Sequence, residues 1–94
     1  MNATPGPAPL EPSLERYVLQ AEEDLARRTG IAIDQITVLE VQPVTWPDGG
    51  LGCPQPGMAY IQVTVDGLLI RLHAGGRDYE YHSGGTRAPF LCQK

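Results

Sequence analysis

Between Pro12 and Thr29 the apolar residues Leu14, Tyr17, Val18, Ala21 and Leu25 recur at i, i+3, i+4, i+7 and i+11. That spacing lines one face of an α-helix. The ends of the segment agree with it. Glu11 and Glu15 stand at the start, Arg27 and Arg28 at the finish, complementing the positive and negative ends of the helix dipole. Pro12 suits a first turn, and Gly30 suits a left-handed stop with Ile31 folding back on the last turn. The opposite face carries Glu15, Glu22, Glu23 and Asp24 and reads as solvated.

From Ile36 the pattern becomes that of strands. ITVLEVQPVTW is β-branched and aromatic, and Pro43 marks a bulge, an edge position or a break. Further on, VTVDGLLI holds Asp66-Gly67 between two alternating runs, a strong hairpin signal. A turn there pairs Val65 with Leu68, Val63 with Ile70, Ile61 with Leu72 and Ala59 with Ala74, all apolar and all on one face. Gly75-Gly76 predicts a second turn, pairing Leu72 with Tyr79 and Ile70 with Tyr81 on that face. On the outer face it pairs His73 with Asp78 and Arg71 with Glu80. The expected fold is therefore α+β: one helix on the apolar face of an antiparallel meander. Its strands are expected at about 58–65, 68–74 and 77–82, with 36–46 as a fourth.

Composition bounds the rest. Residues 1–11, rich in proline (Pro5, Pro7, Pro9), read as a flexible linker, and 12–94 as a single α+β domain. A core built from about 80 residues is small enough for a covalent staple to matter. No stretch approaches the ~20 apolar residues of a membrane-spanning helix. Seven basic against eleven acidic residues give a net charge of −4, which argues against binding nucleic acid by neutralising phosphates. The acidity belongs to the helical half: seven acids and three bases precede Asp48, four of each follow from it.

Cys53 and Cys92 allow one internal pairing. A buried free pair, a metal site with His73 or His82, and a disulfide are the alternatives. The cysteines stand 39 apart and the histidines nine apart, unlike the short paired spacing of zinc ligands. The disulfide is expected, with no metal and no cofactor. It implies an oxidising compartment. Met1 then reads as an added initiator ahead of a mature chain, with residues 2–12 as the spacer behind an upstream lipid anchor.

Candidate chemistry is sparse. The outer face aligns Tyr60, His73 and Asp78 in one expected row, part of a proton-transfer set. Such polar rows are also what an open antiparallel sheet carries toward water, and the solvated reading is preferred. No nucleophile elbow, phosphate loop, dinucleotide fingerprint or HExxH helix occurs, so the chain reads as a non-enzyme. The informative segment is WPDGGLGCPQPG, positions 46–57, which packs four glycines and three prolines into twelve residues. Loops that long tend to be functional or disordered, and a crossover between strands whose glycines merely allow tight turns is the alternative to a binding role. Proline and a bridged Cys53 would pre-order it. Trp46 reads as its foot in the core, while Asp48, Leu51, Gln55 and Met58 are the candidate contact residues, with Leu51 or Gln55 the exposed specificity side chain.

VTWPDGGLGCPQPGMAYIQV, followed by YEYHSGG and a late FLC, resembles a group of small exported bacterial proteins of uncharacterised function. They share a WPDG-x-LGCPQPG core, a later G-x-x-Y-x-Y-H stretch and a closing L-C. The resemblance runs from Asp34 to Cys92 and implies an extracytoplasmic domain behind a signal or lipid-attachment segment. It implies no catalytic residues. The helix-plus-meander layout is also similar to PepSY-like and cystatin-like domains, some of which inhibit peptidases. The expectation is a non-enzymatic exported module that contacts another protein, a peptidase or an envelope component, through loop 46–57. A peptidase inhibitor or an assembly subunit of an envelope complex are the alternatives.

Overall fold

The structure, a computed structural model, describes residues 12–92, with side chains from Leu14 onward; the linker expected at 1–11 lies outside the described residues. Helix α1 (Pro12–Thr29) is followed by a short 3₁₀ turn at Ile33–Gln35 and four strands. These are β1 (Thr37–Trp46), β2 (Val65–Ala74), β3 (Arg77–Gly84) and β4 (Arg87–Leu91). They form one antiparallel sheet in the order β1-β2-β3-β4. The α+β arrangement read from the sequence is the one observed.

Val18, Ala21 and Leu25 bury the helix stripe against Leu68, Ile70, Leu72 and Ala74 of β2 and Tyr81 of β3. Leu14 and Tyr17 pack at its margin, and Ile31 folds back onto the same cluster. Gly30 takes the left-handed φ of +77° that ends the helix, with its N–H on the Ala26 carbonyl at 2.8 Å. Pro43 falls on the edge strand β1, where a missing donor is tolerated. The bulge in that strand lies between Val38 and Glu40.

The turn at Gly75-Gly76 has the expected register, with Leu72 opposite Tyr79, Ile70 opposite Tyr81, His73 opposite Asp78 and Arg71 opposite Glu80. The turn at Asp66-Gly67 does not form. Both residues lie inside β2, where Thr45 pairs with Asp66 and Val44 with Gly67. A strand has two edges, and β2 gives one to β1 and the other to β3. No edge is left for 58–64, which is a loop with Ile61 70% and Val63 56% exposed. The fourth strand is instead β4, reached through a turn at Gly85-Thr86.

Asp24 also departs from the solvated reading. It accepts a hydrogen bond from the Tyr81 hydroxyl at 2.7 Å and one from Arg28 at 2.6 Å. Burial pushes its carboxyl up, but the bonds from Arg28 and Tyr81 and the charges of Arg28 and Arg27 outweigh that and hold it below the usual aspartate range. Burial first, and the bond to Asp24 second, push the Tyr81 phenol well above the usual tyrosine value. A carboxyl depressed in the folded state stabilises above its unfolded value of about 3.9, and this is lost as pH falls through the folded value. Urea unfolding midpoints should therefore fall more steeply below about pH 4 for the wild type than for Asp24→Asn.

Candidate functional site

The helix covers one face of the sheet; the other face organises the loop between β1 and β2. Glu40, Gln42, Val44 and Trp46 alternate onto that outer face, and the register carries it across as Gln42, Leu69, His82 and Phe90 in one row. Trp46, the last residue of β1, is buried against it. Its Nε1 donates to the Ser83 carbonyl at 2.8 Å, and its ring stacks on His82 with centroids 4.5 Å apart and planes 18° off parallel. Phe90 meets His82 edge-on at 6.2 Å, and the Arg87 guanidinium lies 4.1 Å over Phe90.

Glycines make the space for that ring. A Cβ at Gly67 of β2 would fall on the Ser83 carbonyl oxygen and within 2.7 Å of the indole nitrogen. One at Gly84 of β3 would lie 3.2 Å from the indole and 2.8 Å from a Leu51 methyl. One at Gly52 of the loop would fall on the six-membered ring itself. Gly67 is thus demanded by close approach within a strand rather than by a turn.

The loop is fixed from the sheet outward. His82 is buried, and its Nδ1 lies 2.7 Å from the Leu51 carbonyl. A carbonyl only accepts, so Nδ1 carries the proton. Its Nε2 lies 2.8 Å from a Glu80 carboxylate oxygen, so one further proton is held between them and the pair is neutral overall. Leu51 is the one non-glycine at positive φ among the described residues, at +55°, a conformation that costs on the order of 1–3 kcal/mol. Its buried side chain and the bond from His82 hold it there. Next to it the Cys53–Cys92 disulfide ties the loop to the end of β4, and the Cys92 N–H donates to the Glu80 carbonyl at 2.8 Å. On the chain-entropy account that 39-residue closure is worth about 4 kcal/mol.

Beyond Cys53 the loop becomes an exposed arm with an ordered backbone. Gln55-Pro56-Gly57-Met58 is a tight turn, with Met58 N–H on the Gln55 carbonyl at 3.2 Å and Gly57 at φ +80°, as a type II turn with proline second requires. The Gln55 N–H donates to the Tyr60 hydroxyl at 2.9 Å, and the Gly49 N–H donates to the Ile61 carbonyl at 2.9 Å. Met58, Ile61 and Val63 point into solvent, 62%, 70% and 56% exposed.

The residues expected to act together separate into three roles. Trp46 is the foot in the interior, as read from the sequence. Asp48 builds the turn, its Oδ1 accepting from the Gly50 N–H at 2.8 Å. Leu51 is buried, which corrects its reading as an exposed specificity residue. Gln55 and Met58 are exposed on the arm. Of the outer-face row, His73 and Asp78 meet at 2.7 Å and Arg71 bridges Asp78 and Glu40, each at 3.3 Å. The His73 bond lowers the Asp78 carboxyl; desolvation opposes it, and the charges of His73 and Arg71 with the Arg71 bond keep the group below its usual range. Tyr60 is not in that row; it belongs to the loop. Sequence reasoning gave no site role to Glu80, Ser83 or Phe90 and weighed His82 only as a metal ligand. Their signal was the alternation set by the Gly75-Gly76 turn, which already put Glu80 and His82 on the outer face.

Glu80, His82 and Cys92 bring ligand atoms within 4.8 Å of one another, but with the Cys92 sulfur bonded to Cys53 the set holds no thiolate. No helix among the described residues is long and apolar enough to cross a membrane. The disulfide is compatible with an extracytoplasmic location.

One helix on a four-stranded meander, with a disulfide-latched loop on the far face, defines a small α+β domain. Residues 18–92, which include every part of this latch, match the model of a domain of unknown function, DUF8738, and the chain belongs to that family. No curated protein and no solved structure matches it.

The latch separates stability from exposure. Trp46→Ala is expected to cost about 3 kcal/mol or more and Leu51→Ala about 2–4 kcal/mol, whereas Gln55→Ala should stay within about 0.5 kcal/mol. Denaturant unfolding of the three variants checks this ordering.

Proposed function

We propose that this domain is an exported, non-enzymatic module that binds another protein through the arm 54–63. The observation that carries the reading is the pairing of a fixed backbone with unsheltered apolar side chains. Met58, Ile61 and Val63 stand exposed on a segment tied down by hydrogen bonds from the Gln55 and Met58 N–H groups and by one to the Ile61 carbonyl. Large apolar groups left exposed along one short segment are a mark of an interaction surface. A pre-ordered arm loses little conformational freedom on binding, so more of the contact energy appears as affinity. Trp46, Leu51, His82 and the disulfide support this surface, while Gln55 and Met58 belong to it. The export component rests on the disulfide and on the resemblance of the WPDG-x-LGCPQPG segment to exported bacterial proteins.

A narrower form, peptidase inhibition, is favoured by one feature. Gln55 is exposed between Pro54 and Pro56, with its backbone N–H anchored on the Tyr60 hydroxyl, and a proline-stiffened exposed segment is of the kind an active-site cleft can receive. In an envelope complex the same arm would serve as an assembly contact.

Immobilised domain should capture a partner from the envelope fraction of the source organism. Ile61→Ser combined with Val63→Ser should keep unfolding stability within about 0.5 kcal/mol per site and reduce that capture at least tenfold. Undiminished capture by the folded double variant would place the contact elsewhere. Loss of a peptidase activity on adding the wild type, and not the variant, would select the inhibitor form.

A further inference from the structure

We propose that the latch has a second form: when the Cys53–Cys92 disulfide is reduced, Cys53, Cys92, His82 and Glu80 bind one zinc ion. Two sulfurs, one imidazole nitrogen and one carboxylate make a four-ligand set of the kind zinc takes tetrahedrally. Thirty-nine residues separate the cysteines in sequence, and the fold removes that distance. Glu80, His82 and Cys92 already hold ligand atoms within 4.8 Å of one another, and Cys53 is bonded to Cys92. The two cysteine Cα atoms lie 5.9 Å apart. Zn–S bonds of about 2.3 Å at a tetrahedral angle put the sulfurs roughly 3.8 Å apart, a separation that side-chain rotation supplies.

The surroundings are those of a metal histidine. Zinc-bound imidazoles donate their second N–H to a carbonyl or carboxylate, which fixes the ring and leaves the other nitrogen for the metal. His82 Nδ1 makes that bond to the Leu51 carbonyl at 2.7 Å, and Nε2 faces Glu80 at 2.8 Å. His82, Cys53 and Cys92 are all buried, so the ion would sit in a site largely shielded from water.

The chemistry balances with a dithiol as reductant. It gives two electrons and two protons to the S–S bond, which breaks to two thiols, and itself closes to a disulfide. Zinc then displaces the two thiol protons and the proton held between His82 and Glu80. The loop stays tied to β3 and β4 in both states, by a covalent bond in one and by the metal in the other. This goes beyond the binding reading and does not depend on it.

The test uses the whole chain, reduced with dithiothreitol and freed of it by anaerobic gel filtration, then titrated with zinc against a chromophoric chelator. Reduced protein should take up one zinc per chain and oxidised protein none. Cobalt substituted for zinc should give a thiolate charge-transfer band. His82→Ala and Glu80→Gln should each weaken binding at least tenfold, and His73→Ala, outside the site, should not. If His82→Ala fails to fold, Glu80→Gln alone decides. The proposal is overturned if the reduced chain binds zinc no better than the oxidised one. It is equally overturned if binding keeps its wild-type affinity in the folded His82 and Glu80 variants, which would mean a bare dithiol rather than a built site.

Discussion

The indole of Trp46 lies against the outer face of the sheet, and much of the remaining chemistry follows from making room for it. A ring of that size needs neighbours without side chains, and Gly67, Gly84 and Gly52 supply them from two strands and the loop. Its N–H needs an acceptor once buried, and the Ser83 carbonyl provides one. Its open face needs a flat partner, and His82 stacks there. His82 in turn holds the Leu51 carbonyl, which fixes the residue before Gly52 in its left-handed conformation. Each contact depends on the one before it, so removing the ring would open a void and leave the Ser83 carbonyl and the Leu51 backbone poorly held.

The two faces of the sheet therefore do different work. The helix side is an ordinary apolar core, closed by Val18, Ala21, Leu25, Ile70, Leu72 and Tyr81. The outer side is half polar and half latch. At one end Arg71 forms exposed ion pairs with Glu40 and Asp78, which contribute little to stability, and His73 hydrogen-bonds to Asp78. At the other, Trp46, Leu51 and the disulfide form a second buried layer under the loop. Fastening at that end, through one ring, one histidine and one disulfide, is what allows residues 54–63 to stand out with fixed backbone and exposed apolar side chains.

Much of this was legible in the chain, and the failures have physical causes. The helix stripe and the Gly75-Gly76 register are local patterns, decided by neighbours a few residues away, and both were readable. Asp66-Gly67 misled because a glycine needed for close approach looks the same in sequence as one needed for a turn. The alternation of Ala59, Ile61, Val63 and Val65 reinforced the error, since an arm that leaves apolar groups exposed carries the same letters as a strand that buries them. β4 was overlooked because it is short and carries Pro89. Burial of Leu51 depends on Trp46 and on Gly84, 33 residues further along, and no local pattern encodes that. For His82 the alternation along β3 gives Glu80 as a neighbour on the same face, whereas its bond to the Leu51 carbonyl, 31 residues away, is not encoded locally.

Amide hydrogen exchange on the wild type and on His82→Ala tests the latch most directly. The amides of Gly49, Cys53 and Met58 donate within the loop, at 2.9, 3.0 and 3.2 Å, while those of Ile70 and Leu72 lie in the central strand of the sheet. If His82 holds the loop down, the wild type protects both groups, and the variant loses protection in the loop while keeping it in β2. Loop amides that exchange freely in the wild type, or that stay equally protected without His82, would contradict the latch.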